Sequence, residues 1–350
     1  MTSQNKRVAV IGAGIAGGAC AQQLAQSGCS VSVFDKARGV SGRLSTRRTD
    51  MAHYDHGAQY FTAQSNEFKA QVRDWQQRGI VAQWQPRVVN PDIQKWFVGT
   101  PDMPAIVRYL VKNIALQVNT RIQSVEQVVH DAKTNLSLRD VSPLKAIDID
   151  SKTWQLVTDT GAVYSGFTDV VVAVPPAQAV PLIQNLAPSM VSVLNAVDML
   201  PCWTVMISTS DSVTTALPID AERVTDHPAL VWWARNDSKP GRVKHAGQAT
   251  WVIQATPDWT LTHLNADPAD VIRLLCDAFW RHVGVKTLPN VQQSMAHRWL
   301  YSRRHLEPKS TQDCLWAANV RLGVCGDGLI HSRIESAYLS GVHMANAVLS

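Results

Sequence analysis

Two hydrophobic patterns alternate along the chain. The first is a short, continuous apolar run followed by helical spacing. Val8–Ile11 is such a run; it breaks at Gly12, and small or apolar residues such as Ala21 and Leu24 then recur at helical spacing until Gly28. A β-branched run, Val31–Phe34, follows and ends on Asp35. Strand, glycine turn, helix and strand in that order predict a βαβ unit. Asp169–Val174 reads as a strand buried on both faces, ended by Pro175-Pro176. Val320–Cys325 returns to this style ahead of a small-residue helix from about Arg333 to Leu349.

The second pattern is alternation with period two. From about residue 190 it predicts strands at Cys202–Ser208, Ala229–Ala234, Thr250–Ala255 and Ser294–Leu300, with one amphipathic helix, Pro268–Val283, among them. Earlier, Phe68, Val72 and Trp75 predict a helix within residues 65–84, ending at Gly79. Trp96–Gly99 reads as a short strand, Thr100–Pro104 as the start of a helix through Ile106–Ile114, and Leu116–Val129 as a strand region able to rejoin the main sheet. Trp154–Thr158 and Ala162–Tyr164 flank a Gly161 turn as a hairpin. Residues 131–152 are polar and irregular and read as an exposed insertion. The sum is an α/β protein with a discontinuous Rossmann-like cofactor domain and a second, mostly antiparallel-sheet substrate domain. The first takes residues 1–64, 98–185 and 315–350; the second takes 65–97 and 186–314.

The turn of the βαβ unit carries chemistry. Gly12-x-Gly14-x-x-Gly17 sits between the strand and the helix, and Asp35 follows Gly12 by 23 residues. This is the dinucleotide-binding pattern in its required context. Gly12 permits the tight turn, Gly14 lets backbone approach a pyrophosphate, and Gly17 lets helix and strand pack closely. The helix N-terminus offers free N–H groups to phosphate, and Asp35 is placed to accept from a ribose hydroxyl. After Asp35, the small residues Gly39, Ser41 and Gly42 allow backbone to lie along an extended cofactor, with Arg43 available to its pyrophosphate. An ordinary basic loop is the other reading of that segment. The apolar stretch after Lys6-Arg7 could pass for a signal sequence, but its glycines, Gln22 and Gln23 argue against this.

Composition narrows the rest. The chain has 350 residues, 45% hydrophobic and 17% charged, which suits a two-domain globular protein without a membrane span. A net charge of +5 is mild; it fits an anionic small molecule and is too diffuse to argue for nucleic acid. The six cysteines (20, 29, 202, 276, 314 and 325) form no C-x-x-C and read as reduced thiols of a cytoplasmic protein, with no disulfide frame and no metal site.

The chain resembles the bacterial renalases, a branch of the FAD-dependent amine oxidase-like superfamily. The resemblance rests on segments spread over the whole length: the glycine motif, F-D-K-A-R-G-V-S-G-R (34–43), D-H-G-A-Q-Y-F-T-A (55–63), W-F-V-G-T-P-D-M (96–103), W-W-A-R-N-D-S-K-P (232–240), A-H-R-W-L-Y (296–301) and C-G-D-G (325–328). The glycine motif is shared widely; the segments at 55 and 296 are specific to this branch. The chain departs in the 131–152 segment, longer than expected, and in the variable region Ser302–Asp313.

The resemblance implies non-covalent FAD and oxidation of off-pathway isomers of reduced NAD(P), the 2- and 6-dihydro forms, to NAD(P)+. Dioxygen would then reoxidise the flavin, giving hydrogen peroxide. It also implies cofactor contacts from Ala16, Asp35, Arg43, Gln59 and Asp327, the last meeting the ribityl chain. Around these, the cofactor set takes in Gly12, Ala13, Gly14, Ile15, Gly17, Lys36, Ser41, Gly42, Ala58, Gly326 and Ile334. Only one nucleotide motif is present, so the reductant should enter the active site and stack directly on the flavin. Such hydride transfer needs orientation more than an acid or base. Trp232 and Trp233 point to opposite faces of their strand, so only one of the two can line the site. Trp233, Gln59, Gln254 and His297 are the expected substrate-positioning residues. Arg235, Lys239, Arg242, Arg298, Arg303 and Arg304 are candidates for a substrate pyrophosphate. Two other readings stay open: an amine oxidase binding a neutral amine between aromatic walls, and a flavin-free binding protein of the same fold.

Overall fold

A computed structural model gives the fold and describes residues 6–89, 94–129, 152–210, 217–306 and 312–350. Apart from Lys152, the expected insertion at 131–152 lies outside the described residues. Arg7–Ile11 is an inner strand of a six-stranded sheet. Its order is Leu315–Ala317, Leu322–Val324, Asp169–Val172, Arg7–Ile11, Ser30–Phe34, Ala115–Gln117, all parallel except the first. The continuous apolar runs are explained by cover on both faces. Val8 and Val10 pack beneath the helices Ile15–Gln26 and Ile334–Leu349. Ala9 and Ile11 pack against Trp154 and Leu156 of a second sheet and against the helices Pro176–Ile183 and Pro188–Asn195.

The strand region expected at 116–129 divides in two. Ala115–Gln117 edges the main sheet, the chain turns at Asn119 (φ 51°), and Ile122–Val129 joins a three-stranded sheet with Lys152–Thr158 and Val163–Phe167. The backbone of Asn119 and Thr120 donates to Ala37 O and Asp35 O at 2.8 Å each, which ties this turn to the loop after the second strand. The helix Asn66–Gln77, capped by Ser65, lies on the C-terminal helix, with the rings of Phe68 and Trp75 buried against Tyr338 at 5.5 and 5.3 Å.

The second domain is built on an antiparallel sheet ordered Ala221–Arg223, Leu230–Arg235, Gln248–Ala255, Met199–Ser210, Val291–Arg304. Asp267 caps the amphipathic helix Pro268–His282, whose Val271, Leu275 and Phe279 cover one face of that sheet. The opposite face looks toward the cofactor domain. Among the described residues no helix is long and apolar enough to cross a membrane.

One buried carboxylate joins the parts. Asp55 ends the small hairpin Thr46–Arg48/His53–Asp55 and has no exposure. It accepts from Arg242 Nε at 3.1 Å and from Arg242 Nη2, from Lys239 Nζ at 3.2 Å, and from Thr46 Oγ1 at 2.7 Å. Lys239 Nζ also reaches Gln59 Oε1 (3.1 Å) and Asn236 Oδ1 (3.0 Å), and Arg242 Nη1 donates to Gly99 O at 2.6 Å. Burial alone would raise the Asp55 pKa; Lys239 and Arg242 outweigh it and hold the carboxyl well below the usual carboxylate range. Burial lowers Lys239. Thus Lys239 and Arg242, both expected at a substrate pyrophosphate, are committed to the interior, because only they can neutralise a fully buried Asp55.

Two outcomes follow. A Cβ on Gly341 of the C-terminal helix would lie 2.1 Å from Ala16 O of the first helix. Gly341→Ala should therefore destabilise by about 1–3 kcal/mol through forced separation of the helices, measured by denaturant unfolding. Gly39→Ala, with no atom within 4 Å of its Cβ, serves as the neutral control. Asp55→Asn leaves two buried cations without a counter-charge and should cost about 3–5 kcal/mol. Asp55's folded pKa is depressed, so its contribution is fully present above its unfolded value near 4 and is lost as pH falls below it. The acid arm of the wild-type stability curve should accordingly be shallower in the variant, and an unchanged arm would refute this role.

Candidate active site

A cavity of about 2100 Å³ runs between the two domains, from the glycine turn to the free face of the second sheet. At one end the helix Ile15–Gln26 begins at Gly14 with no side-chain cap and no acidic residue in its first turn, so its leading N–H groups remain available to an anion. No atom lies within 4 Å of a Cβ built on Gly14 or on Gly326, both on the cavity wall, so open space stands over backbone at both positions. Gly12, at φ 110°, is forced to be glycine: a Cβ there would lie 2.5 Å from Ala173 O. Ile15, Ala16, Ser41, Gly42, Ala58 and Ile334 also line this cavity. Ala13 and Gly17 do not. Ala13 is buried, and a Cβ on Gly17 would come 2.0 Å from Gly12 O, so these two serve the packing of the turn.

Asp35 also lines the cavity, and it holds the turn from inside. Its Oδ2 accepts from Ala13 N at 2.7 Å and its Oδ1 from Ala37 N at 2.8 Å. A carboxylate has about four acceptor sites, so capacity for a hydroxyl remains. Lys36 is exposed and donates to Gln178 Oε1 at 3.0 Å. Arg43 and Asp327 form a two-pronged ion pair, with Nη1 to Oδ2 at 3.0 Å, and Arg43 Nη1 also reaches Ser302 O at 3.2 Å.

At the other end, strand register sets one row of side chains across the second sheet. Trp232 pairs with Gln254, Gln254 with Thr204, and Thr204 with His297. Direct partners share a face, so all four point toward the cofactor domain. Trp232, Gln254 and His297 line the cavity, and Thr204 lies fully buried in the row. Gln254 Nε2 donates to Gly57 O at 2.9 Å and Trp299 Nε1 to His56 O at 2.9 Å, so the sheet grips the segment Asp55–Gln59. Gly57 is required there, since a Cβ would lie 2.0 Å from Arg43 O. His56 stacks on Trp299 (5.2 Å) and meets His297 edge-on (4.8 Å). Burial, His297 and Arg47 push His56 down to about 3; burial and Arg47 push His297 down to about 4. Both imidazoles are neutral at physiological pH. Beside them Tyr60 stacks on Trp96 at 4.1 Å and leans on Trp232 at 5.2 Å, forming an aromatic wall.

Trp233 is a correction. It belongs to the opposite row, has no exposure, packs on Trp251 and Phe279, and donates Nε1 to Glu222 at 2.8 Å. Its neighbour Trp232 occupies the cavity wall, because Trp232 and not Trp233 shares the face of Gln254. Gln59 reaches the wall, but its amide is committed to protein: Nε2 to Asp55 O and to Gly57 O (3.1 Å), Oε1 to Lys239. Arg235 pairs with Asp237, Arg298 donates to Leu264 O, and Arg304 donates to Gly328 O at 2.6 Å. Of the six expected pyrophosphate cations, Arg303 alone is exposed on the cavity wall. His56, Tyr60 and Thr204 were missed by the sequence. His56 and Tyr60 stand within a quoted motif, whereas Thr204 carries no local signal and is found only through register.

With this geometry in hand, comparison places the fold. Residues 10–76 match the family described as NAD(P)-binding Rossmann-like domain. A solved structure from Exiguobacterium sp. 255-15, provisionally assigned as a protoporphyrinogen oxidase, is similar over 98% of both chains with a TM-score of 0.69 at 9% identity. At that identity the likeness is one of fold. The chain is an α/β protein with a Rossmann-like dinucleotide-binding domain, a parallel sheet and further antiparallel sheets.

Proposed function

We propose that the protein is a renalase-like FAD-dependent oxidase that takes a hydride from 2- or 6-dihydro isomers of NAD(P) and releases NAD(P)+. The observation that carries this reading is the single cavity of about 2100 Å³ with two unlike ends. It is roughly twice the ~1,000 Å³ upper range of ordinary ligand sites, which suits a dinucleotide cofactor plus a second large ligand. The bare helix start, the open space over Gly14 and Gly326, and the pair Arg43–Asp327 fit FAD: phosphate at the helix, ribose at Asp35, and Arg43 and Asp327 turning to pyrophosphate and ribityl chain. When bound, FAD supplies the hydride acceptor and afterwards passes electrons to dioxygen, giving hydrogen peroxide.

The protein's own part is orientation. Trp232 and Tyr60 offer flat apolar surface to a planar ring, and Gln254, with its Nε2 held by Gly57, presents Oε1 as a fixed acceptor for a carboxamide. His56 and His297, kept neutral, add no positive charge that would oppose formation of the pyridinium product. No acid or base is required, because aromatisation of the ring drives the transfer. Selectivity against NADH then comes from pose: reacting atoms must lie within about 3–3.5 Å, so a shift by one or two ring positions separates reactive from inert. The aromatic wall also suits a neutral amine, which is the competing enzyme reading.

Anaerobic stopped-flow mixing decides between them. The 2-dihydro isomer should bleach the flavin orders of magnitude faster than NADH; equal rates would mark a general NADH oxidase, and bleaching only by amines would mark an amine oxidase. The rate should be flat from about pH 5.5 to 8, since both imidazoles titrate below that range, at about 3 and about 4. A step near 6.5, the ordinary histidine value, would show that they are charged in the working enzyme. Asp35→Ala should weaken FAD binding by about 1.5–3 kcal/mol through loss of a charge-assisted hydrogen bond, read by titrating apoprotein. Unchanged affinity would put the adenosine elsewhere.

A further inference from the structure

The cations expected at a substrate pyrophosphate are nearly all engaged elsewhere, yet the cavity wall carries others. Arg48 of the hairpin strand Thr46–Arg48 and Arg108 of the helix Ala105–Leu110 both line it, and both are held by one carboxylate. Arg108 Nη2 donates to Asp102 Oδ1 at 2.7 Å and Arg48 Nη2 to Asp102 Oδ2. Asp102 is buried at 5% side-chain exposure, while the two guanidiniums keep 42% and 48%. A buried carboxylate thus fixes two cations from below and leaves their remaining N–H groups free. Arg47, on the other face of the same strand, also lines the cavity. Its charge bears on both His56 and His297, which puts it beside the sheet row.

We propose that Arg48 and Arg108, bracketed by Asp102, form the subsite that takes the pyrophosphate of the reduced dinucleotide. Two guanidiniums against one carboxylate leave a net positive charge, which favours the anionic pyrophosphate diester. Guanidinium is suited to the task, because its fork of donors meets phosphate oxygens two at a time. Fixing both guanidiniums in advance reduces the ordering that binding must impose. The identity of the ligand rests on the function proposed above; the anion subsite itself does not.

The test uses holoenzyme and two ligands that differ in phosphate. In the double variant Arg48→Gln/Arg108→Gln, the kcat/KM ratio of the 2-dihydro dinucleotide to its phosphate-free dihydronicotinamide riboside should fall at least tenfold, carried by KM. The Lys/Lys variant should recover part of it. Equal loss for both substrates, no loss at all, or loss of FAD in place of substrate would each overturn the assignment. ADP-ribose binding, followed by perturbation of the flavin spectrum, gives a readout independent of turnover. Wild-type affinity should weaken as salt is raised and the Arg48/Arg108 variant should lose that dependence; salt-independent binding would overturn the subsite. If neither dihydropyridine reacts while ADP-ribose still binds through these arginines, the oxidase reading falls and the subsite stands.

Discussion

A carboxylate with no access to water cannot stay ionised unless cations are brought to it, and Asp55 brings two. Lys239 and Arg242 come from the loop after the second sheet's strand Leu230–Arg235, while Asp55 belongs to the hairpin beside the cofactor domain. Satisfying the charges of this group therefore fixes how the two domains meet. The consequences run outward along hydrogen bonds. Lys239 orients Gln59, Gln59 turns its amide to Asp55 O and Gly57 O, and Gln254 and Trp299 take the carbonyls of Gly57 and His56. Four residues of the cavity wall, His56 to Gln59, are thus held from behind and from above. A buried ion pair is poor evidence for net stability. Here its effect is geometric: it fixes the Gln59 amide and, through it and the second sheet, the carbonyls of Asp55, His56 and Gly57.

The sequence disclosed most where chemistry and local pattern coincide. The βαβ unit with Gly12, Gly14, Gly17 and Asp35 was legible because each residue answers a local demand of turn, helix start or close packing. The second sheet was legible as strands, since alternation marks a half-buried strand, but alternation leaves open which row faces which domain. Trp232 and Trp233 alternate in either case, and only the pairing of Trp232 with Gln254 separates them. Cross-strand register depends on contacts among distant strands and has no local signal. The same holds for the basic residues. Lys239, Arg242 and Arg304 look alike in sequence to Arg47, Arg48 and Arg108, yet the first three are drawn inward by Asp55 and Gly328 O. The helix Asn66–Gln77 was legible as a helix, but its contact with Tyr338 was not, because an apolar stripe states that a helix packs and not where.

Charge is distributed in the cavity in a way that suits a reaction producing a cation. The row at His56, His297 and Trp232 is itself apolar or neutral, and burial keeps both imidazoles unprotonated. Outward of these, at the rim, stand the half-exposed Arg48 and Arg108 on Asp102, while Arg223 donates to the hydroxyl of Tyr60 at 2.7 Å. Exchanging the two would fail on physical grounds. A guanidinium at the reacting ring would repel the developing pyridinium, with energies that a low-dielectric site magnifies. An apolar rim would offer nothing to hold a dianionic tail. On the oxidase reading, holding the tail is what allows a neutral ring pocket to be selective. The anchored phosphates set how deep the ring can reach, and the fixed wall of Trp232 and Gln254 sets its rotation. Depth and rotation together decide which ring carbon comes within reach of the acceptor.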